Sequence, residues 1–206
     1  MSGPPRVVTE ADVRRAARES RSLAVAPGAV VTPAARDLAR TLGLALDEAA
    51  GVDAPARRRT VALGADHGGY PLKEHLKATL ADLGHEVLDL GTGGAEPVDY
   101  PDFAVAVARA VAEGRAWRGI MVDGAGIGSA MAANKIRGVR AALCYDLTTA
   151  QNAREHNDAN VLTLGGTLIG TRLAVDIVRT FLATAFGGGR HARRVDKINS
   201  LDSARG

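Results

Sequence analysis

Short apolar runs alternate, from Thr60 onward, with longer segments in which apolar residues recur at helical spacing. The runs that predict strands cover residues 60–64, 86–90, 119–122, 140–144 and 160–164. They are apolar almost throughout, which is typical of strands that are buried on both faces of a parallel sheet. Their alternation with helices therefore predicts an α/β fold, with a doubly wound, Rossmann-like sheet and helices on both of its faces.

Three helical stripes lie between or after these strands. Apolar residues recur every three or four positions over residues 72–83, 103–111 and 173–185. Gly84 and Gly114 follow the first two stripes and are placed to end the helices, because glycine readily adopts the left-handed conformation found after a helix. In a doubly wound sheet, ligands bind beyond the carboxyl ends of the strands.

The chain divides into an extension, residues 1–58, and a domain, residues 59–206. The alternation of strands and helices begins only at Thr60, and residues 47–59 have the character of a linker without core periodicity. A domain of about 150 residues is large enough to bury a self-supporting core.

Two short helices are predicted in the extension. Residues 11–20 follow Thr9 and Asp12, a pair that resembles a capping box. Thr32-Pro33 opens a second helix, because threonine is a frequent N-cap and proline is frequent at the first helical position. That helix is expected to end near Gly43.

The composition excludes several classes of protein. The net charge of the 206-residue chain is only +3, and no long basic stripe with interleaved aromatic residues indicates nucleic-acid binding. No apolar run approaches the roughly 18 residues of a membrane span, and the N-terminus lacks the apolar core of a signal peptide, so we expect a cytoplasmic protein. Cys144 is the only cysteine, and its apolar surroundings favour a buried structural thiol.

Residues 120–140 contain the most informative chemistry. The predicted strand that ends at Val122 is followed by Asp123, by a glycine-rich loop and by the start of a small-residue helix at Ser129. Backbone N–H groups in such a loop can gather around an anion, and the helix N-terminus adds a positive partial charge. An acidic side chain at the edge of the loop is a candidate for proton transfer. The loop glycines are Gly124, Gly126 and Gly128.

Four further motifs accompany this loop, at residues 64–69 (GADHGG), 99–101 (DYP), 154–160 (REHNDAN) and 189–194 (GRHARR). In this order and at these spacings, the chain resembles the ribose-5-phosphate isomerase B family, which also includes the galactose-6-phosphate isomerase subunits. The resemblance covers about residues 59–200 and implies a five-stranded parallel sheet. The Asp66-His67, Asp123-Gly124 and His156-Asn157 motifs are expected near the carboxyl ends of strands or in the loops after or between them.

The chain departs from the family at the position of the base. In the better-known branch, the position that matches Asp123 is a cysteine that acts as base, and the position that matches Ala125 is a threonine. In a second branch the base is a glutamate at the position of Ile127. Because neither usual base is present, we predict that Asp123 takes this role, and the alternative is that Asp123 only caps the turn that follows.

The resemblance assigns roles to the other motif residues. It implies that His156 is the acid that opens the sugar ring, that Asn157 contacts the enediolate or a hydroxyl, and that Asp66 orients a sugar hydroxyl. The implied substrate- and phosphate-binding groups are His67, Tyr100, the N–H groups of Gly124, Gly126, Gly128 and Ser129, and the basic residues Arg190, His191 and Arg194. Family members are dimers or tetramers whose sites take these basic residues from a neighbouring subunit. Neither a metal nor a cofactor is expected.

The function implied is an aldose–ketose isomerase that converts ribose 5-phosphate to ribulose 5-phosphate through an enediolate. Two alternatives are a sugar-phosphate-binding or scaffold protein with impaired catalysis, and an isomerase of a tetrose or hexose phosphate. In the extension, residues 30–39 (VVTPAARDLA) look like a segment that recurs in enzymes associated with bacterial microcompartments. Residues 1–58 are therefore predicted either to pack on the protein itself or to bind a shell or cargo partner inside such a compartment.

Overall fold

A computed structural model of the chain describes residues 7–19, 22–25, 29–48 and 59–202. The chain divides into two compact units, residues 1–57 and 58–206. Each unit has a buried apolar core of its own.

The N-terminal unit contains two helices and four short strands. In chain order these are β1 (Val7–Val8), α1 (Glu10–Glu19), β2 (Ser22–Val25), β3 (Val30–Val31), α2 (Pro33–Leu42) and β4 (Ala45–Glu48). Both predicted helices are confirmed, and Gly43 ends α2 in the left-handed conformation, with a φ of 63°. The strands were not predicted. Of the predicted linker, residues 47–48 belong to β4, and residues 49–58 lie outside the described residues.

The N-terminal unit is built from two copies of one strand–helix–strand pattern. β1 pairs in parallel with β3, and β2 with β4, and in both sheets the paired residues are 23 positions apart. Thr9 and Thr32 keep this spacing, and each precedes a helix. The Thr32 hydroxyl accepts the N–H of Ala35 as an N-cap, whereas the Thr9 N–H and hydroxyl both donate to the Asp12 carboxylate. Because each sheet takes one strand from each copy, neither copy forms a sheet alone.

The larger unit alternates strands and helices. Its elements are β5 (Thr60–Ala65), α3 (Tyr70–Asp82), β6 (Glu86–Asp89), α4 (Tyr100–Ala112), β7 (Arg118–Asp123), α5 (Ile127–Ala133), β8 (Ala141–Leu143), α6 (Leu147–Glu155), β9 (Val161–Gly165), α7 (Thr171–Ala183), a 3-10 turn (Gly189–His191) and α8 (Ala192–Ser200). All five predicted strands are confirmed, with ends within one residue of those predicted. α6 and α8 were not predicted, because their apolar stripes are short.

The five strands are all parallel, in the order β6-β5-β7-β9-β8. Helices α3, α6 and α7 cover one face of the sheet, and α4 and α5 cover the other. The chain first adds β6 on one side of β5 and then β7 on the other side. This reversal opens a crevice between the carboxyl ends of β5 and β7, the usual place for a ligand in such sheets.

Two further expectations concern the burial of the cysteine and the membrane-spanning potential of the helices. Cys144 is buried, as predicted, and burial raises the pKa of its thiol to about 11. Within the described ranges, no helix is long and apolar enough to cross a membrane.

Candidate active site

The loops after β5 and β7 meet at the carboxyl edge of the sheet. Ala65 pairs with Val122, and the N–H of Asp66 donates to the Val122 carbonyl at 3.2 Å. A Cβ atom added to Gly68 would lie 3.4 Å from the backbone nitrogen of Gly124. The structure therefore brings the Asp66-His67 loop and the loop after Asp123 into contact, at the point where the order of the strands reverses.

Asp123 is 4 % exposed, and its carboxylate caps the loop that follows it. Oδ1 accepts the N–H of Ala125 at 2.9 Å and the N–H of Gly126, and Oδ2 accepts the N–H of Ser129 at 3.1 Å and the Ser129 hydroxyl. A carboxylate offers about four lone pairs, so these donors occupy all of them. Before Asp123 can take a proton, one donor must leave. The Ser129 hydroxyl is the donor that can turn away by rotation about a single bond.

The N–H groups predicted to hold an oxyanion differ in their partners. Those of Gly126 and Ser129 donate to Asp123 and are engaged inside the loop. The N–H of Gly124 has no acceptor within the described part of the chain, so it is available to a ligand. Gly126 has a φ of 80°, and a Cβ there would lie 2.5 Å from the Cδ1 atom of Leu143. Both the backbone conformation and the packing therefore require glycine at position 126.

Tyr100 lies directly against the glycine loop. It is the first residue of α4, and a Cβ atom added to Gly128 would lie 2.5 Å from both Cζ and the hydroxyl oxygen of its ring. The phenol therefore covers the first turn of α5 and borders the crevice that contains Asp123. The structure brings Tyr100, Gly128 and the Asp123 loop together.

We expect Gly128→Ala to raise KM for the sugar phosphate by roughly tenfold, because the new methyl group must displace the Tyr100 ring. The protein should stay folded, since the atoms in conflict are at the free end of a side chain. Steady-state kinetics would measure the change, with Gly93→Ala as the control because nothing lies within 4 Å of a Cβ at that position. An unchanged KM in folded Gly128→Ala would remove Tyr100 from the sugar site.

Two residues that were not identified from the sequence hold the glycine loop in place. The Tyr145 hydroxyl donates to the Ala125 carbonyl, and the Thr167 hydroxyl donates to the Gly124 carbonyl, each at 2.7 Å. Tyr145 follows β8 and Thr167 follows β9, so both come from the same edge of the sheet as Asp123. In the sequence, the only indication of this role was that both residues come just after a strand, as Asp66 does.

Asp66 and His67 occupy the turn before α3. Asp66 is buried, and its Oδ1 atom accepts the N–H of Gly69 at 2.9 Å, while Oδ2 has no partner among the residues described. His67 is exposed, and its Nδ1 atom accepts the N–H of Val98 at 3.2 Å. Asp66 thus has one oxygen free for a sugar hydroxyl, and His67 is tied to the loop between β6 and α4.

That loop is anchored by a buried lysine. The Lys73 ammonium, on α3, donates to both carboxylate oxygens of Asp89 at 2.9 Å and to the Thr92 carbonyl at 2.8 Å. A Cβ on Gly91 would lie 2.5 Å from the backbone nitrogen of Ala65, so the loop passes close to the end of β5. The segment that contacts His67 is therefore held against the carboxyl edge.

His156 and Asn157 lie at the opposite, amino edge of the sheet. They follow α6 and precede β9, whereas Asp66 and Asp123 follow or end their strands. The carbonyl of Asn160 accepts the N–H of Gly119, which is four residues before Asp123 in β7. Four residues of strand span roughly 13 Å. One chain therefore does not bring His156 and Asn157 next to Asp123. The motif at residues 154–160 and the loop after Asp123 lie at opposite edges of the sheet.

The C-terminal basic residues lie with His156. The rings of His156 and His191 stack with centroids 4.1 Å apart and planes 6° from parallel. Nε of Arg190 donates to Nε2 of His191 at 3.4 Å. Burial lowers the pKa of His191, and the nearby charges of His156, Arg190 and Arg194 lower it further. The structure thus gathers these four residues into one basic cluster, which is suited to a phosphate group.

Two cavities open beside Asn157 at this edge. Their volumes are 370 and 300 Å³, and both are lined by Ala153 and Asn157. The first also borders Asn152 and the second borders Ile198, which is 45 % exposed. No group of three or more His, Cys, Asp or Glu residues within the described ranges is placed to hold a metal ion.

Comparison with known proteins places these motifs in one family. The profile of the Ribose/Galactose Isomerase family matches residues 61–198. Ribose-5-phosphate isomerase B of Escherichia coli (strain K12) is 43% identical over 147 residues, which cover 71% of this chain and 99% of that protein. D-erythrulose-4-phosphate isomerase of Pectobacterium atrosepticum is 40% identical over 141 residues, which cover 68% and 92%. The solved structure of ribose-5-phosphate isomerase B from Clostridium thermocellum is 49% identical, with a TM-score of 0.70, and covers 71% of this chain and 99% of its own.

Proposed function

Because the chain belongs to the ribose/galactose isomerase family of sugar-phosphate isomerases, we propose that its substrate is ribose 5-phosphate and that Asp123 is the base of the reaction. The observation that carries this proposal is the position of Asp123. Its buried carboxylate ends β7 in the crevice between β5 and β7, where Asp66 and Tyr100 also lie. Two polar groups beside it, the Gly124 N–H and the Oδ2 atom of Asp66, have no partner among the described residues and would hold an open-chain sugar.

The reaction moves one proton between neighbouring carbons. Asp123 takes the proton from C2 of the open-chain aldose, and the electrons of the C2–H bond form a C1–C2 double bond while the carbonyl oxygen becomes an oxyanion. The N–H of Gly124 donates to that oxyanion. Asp123 returns the proton to C1, and the hydroxyl proton on the C2 oxygen moves to the C1 oxygen, which gives the ketose. Before these steps, His156 gives a proton to the ring oxygen as its bond to C1 breaks, and the C1 hydroxyl releases its proton to solvent as it becomes the carbonyl.

The complete site lies, in this proposal, between two subunits of a homodimer or of a tetramer. Asp123 and His156 are at opposite edges of one sheet, so a second chain must bring its His156, Asn157 and basic cluster to the Asp123 crevice. Apolar side chains beside that crevice support such a contact, since Ile127 is 47% exposed and Met131 is 63% exposed. They lie one helical turn apart on α5 and form an apolar surface for a partner.

A tetrose phosphate is the second candidate substrate. The relative from Pectobacterium atrosepticum, named for D-erythrulose 4-phosphate, is 40% identical, and the ribose-5-phosphate isomerase from Escherichia coli is 43% identical. Identities this close do not separate a four-carbon from a five-carbon substrate. The family description also names galactose, which keeps a hexose phosphate as a third candidate.

The test is solvent exchange in deuterium oxide. The purified full chain is incubated separately with ribose 5-phosphate, erythrose 4-phosphate and galactose 6-phosphate, and NMR follows deuterium at C1 of the ketose and at C2 of the aldose. The expected result is fastest exchange with ribose 5-phosphate. Faster exchange with the tetrose or hexose phosphate would reassign the substrate. No exchange with any of the three would indicate a sugar-phosphate-binding or scaffold protein.

The N-terminal unit lies before the family match, which begins at residue 61. We propose that residues 1–58 bind a partner, such as a microcompartment shell or cargo protein. Deleting residues 1–56 is expected to leave kcat and Tm unchanged, because the motif residues all lie after Thr60. The same deletion should abolish pull-down of the shell or cargo protein. A large fall in Tm, or a change in oligomer size by light scattering, would show instead that the unit packs within the protein.

A further inference from the structure

Two of the motif histidines, His67 and His156, have an amide nitrogen within hydrogen-bonding distance of Nδ1. Nδ1 of His156 lies 2.9 Å from Nδ2 of Asn152, one helical turn earlier on α6. Nδ1 of His67 accepts the N–H of Val98 at 3.2 Å. A backbone N–H can only donate, so Nδ1 of His67 must be an unprotonated acceptor. The partner of His156 is a side-chain amide, whose orientation is set by the other hydrogen bonds that it makes.

The Asn152 amide is oriented by Asn157. Nδ2 of Asn157 lies 3.5 Å from Oδ1 of Asn152 and 3.4 Å from the Asn152 carbonyl oxygen. If the Asn152 amide were reversed, its NH₂ group would face that of Asn157, and the side-chain hydrogen bond between the two residues would be lost. The observed orientation avoids this and directs Nδ2 of Asn152 at His156. One side chain thus contacts both members of the His156-Asn157 pair.

We infer that Asn152 is a positioning residue that holds neutral His156 as the Nε2–H tautomer. Since Nδ1 accepts the amide proton, the ring proton is on Nε2, and His156 meets a substrate as a hydrogen-bond donor. The His191 ring, stacked on His156 with centroids 4.1 Å apart, holds the His156 ring in this orientation. The catalytic meaning of this tautomer rests on the proposed isomerase function, but the tautomer itself does not.

Asn152→Asp reverses the hydrogen bond. A carboxylate only accepts, so the His156 proton must move to Nδ1 or a second proton must bind. Asn152→Leu removes the bond without adding charge. The matched control is Gln151→Glu, the same amide-to-acid change on the preceding, exposed residue, whose amide contacts Glu155 and not His156.

The measurement is long-range ¹H–¹⁵N NMR on the full chain labelled at its five histidines, without substrate. His156 should show the Nε2–H pattern in the wild type and in Gln151→Glu, and a protonated Nδ1 in Asn152→Asp. With ribose 5-phosphate, kcat should fall at least tenfold in Asn152→Asp, should fall less in Asn152→Leu, and should stay close to the wild-type value in Gln151→Glu.

A wild-type His156 that carries its proton on Nδ1, or an Asn152→Asp variant with an unchanged His156 spectrum, would overturn the inference whatever the activity. A wild type that shows the Nε2–H pattern but exchanges no deuterium with any sugar phosphate would instead refute the isomerase proposal. The two failures are therefore distinguishable.

Discussion

Asp123→Asn is expected to lower kcat by roughly 10²- to 10⁴-fold, the contribution of a general base. Asparagine keeps the size of the side chain but cannot take a proton from C2. Its NH₂ group would also face N–H donors that Asp123 now accepts from, so a loss of unfolding free energy of about 1–3 kcal/mol should accompany the loss of activity. Steady-state kinetics with ribose 5-phosphate and chemical denaturation would measure both effects.

The control must weaken the same loop without touching the carboxylate. Tyr145→Phe does so, because it removes the hydrogen bond to the Ala125 carbonyl and leaves Asp123 in place. We expect this variant to lose about 1 kcal/mol of unfolding free energy and to keep kcat within a few-fold. If activity falls in proportion to stability in both variants, Asp123 is a cap of the loop and another residue is the base.

Mixed dimers of two inactive variants are expected to recover about half of the wild-type activity. One subunit would carry Asp123→Asn and the other His156→Ala, so that the first lacks the proposed base and the second lacks the proposed ring-opening acid. In a twofold dimer, one of the two sites then receives both altered residues and the other receives neither. Co-expression with two different affinity tags and purification on both would isolate the mixed dimers for assay.

Dimers that carry both tags but only one of the two variants should remain inactive, which excludes a contribution from the tags. Mixed dimers without recovered activity would show that each subunit builds its own site. That result would also require a rearrangement of the chain, because β7 separates the level of Asn160 from that of Asp123 by roughly 13 Å.

The sheet of the larger unit was predictable because its strands are apolar throughout and its helices carry long stripes. The N-terminal strands were missed for the opposite reason. β1 and β3 are two residues long, and β2 begins with Ser22, so no periodic pattern develops within them. These strands form because the two copies of the repeat pair with each other. That pairing joins residues 23 positions apart, so the pattern within one short segment does not reveal it.

The sequence identified the motif residues of the site, but it did not predict the distances between them. Asp66 and Asp123 end up adjacent because β5 and β7 are neighbours, and this follows from strand order, not from spacing. The saturation of Asp123 by four donors depends on the exact path of the glycine loop. Tyr145 reaches that loop through one hydrogen bond, and Asn152 contacts His156 and Asn157 at the opposite edge, but neither residue was identified from a motif.

The internal repeat gives the N-terminal unit the architecture of a homodimer fused into one polypeptide. Partner residues 23 positions apart in both sheets mean that each copy completes the other by exchanging strands. A chain with a single copy would therefore have to borrow its missing strands from a second molecule. The fused form presents related surfaces twice, so a ligand with repeated epitopes could engage both on one chain and gain avidity without a second copy of the enzyme.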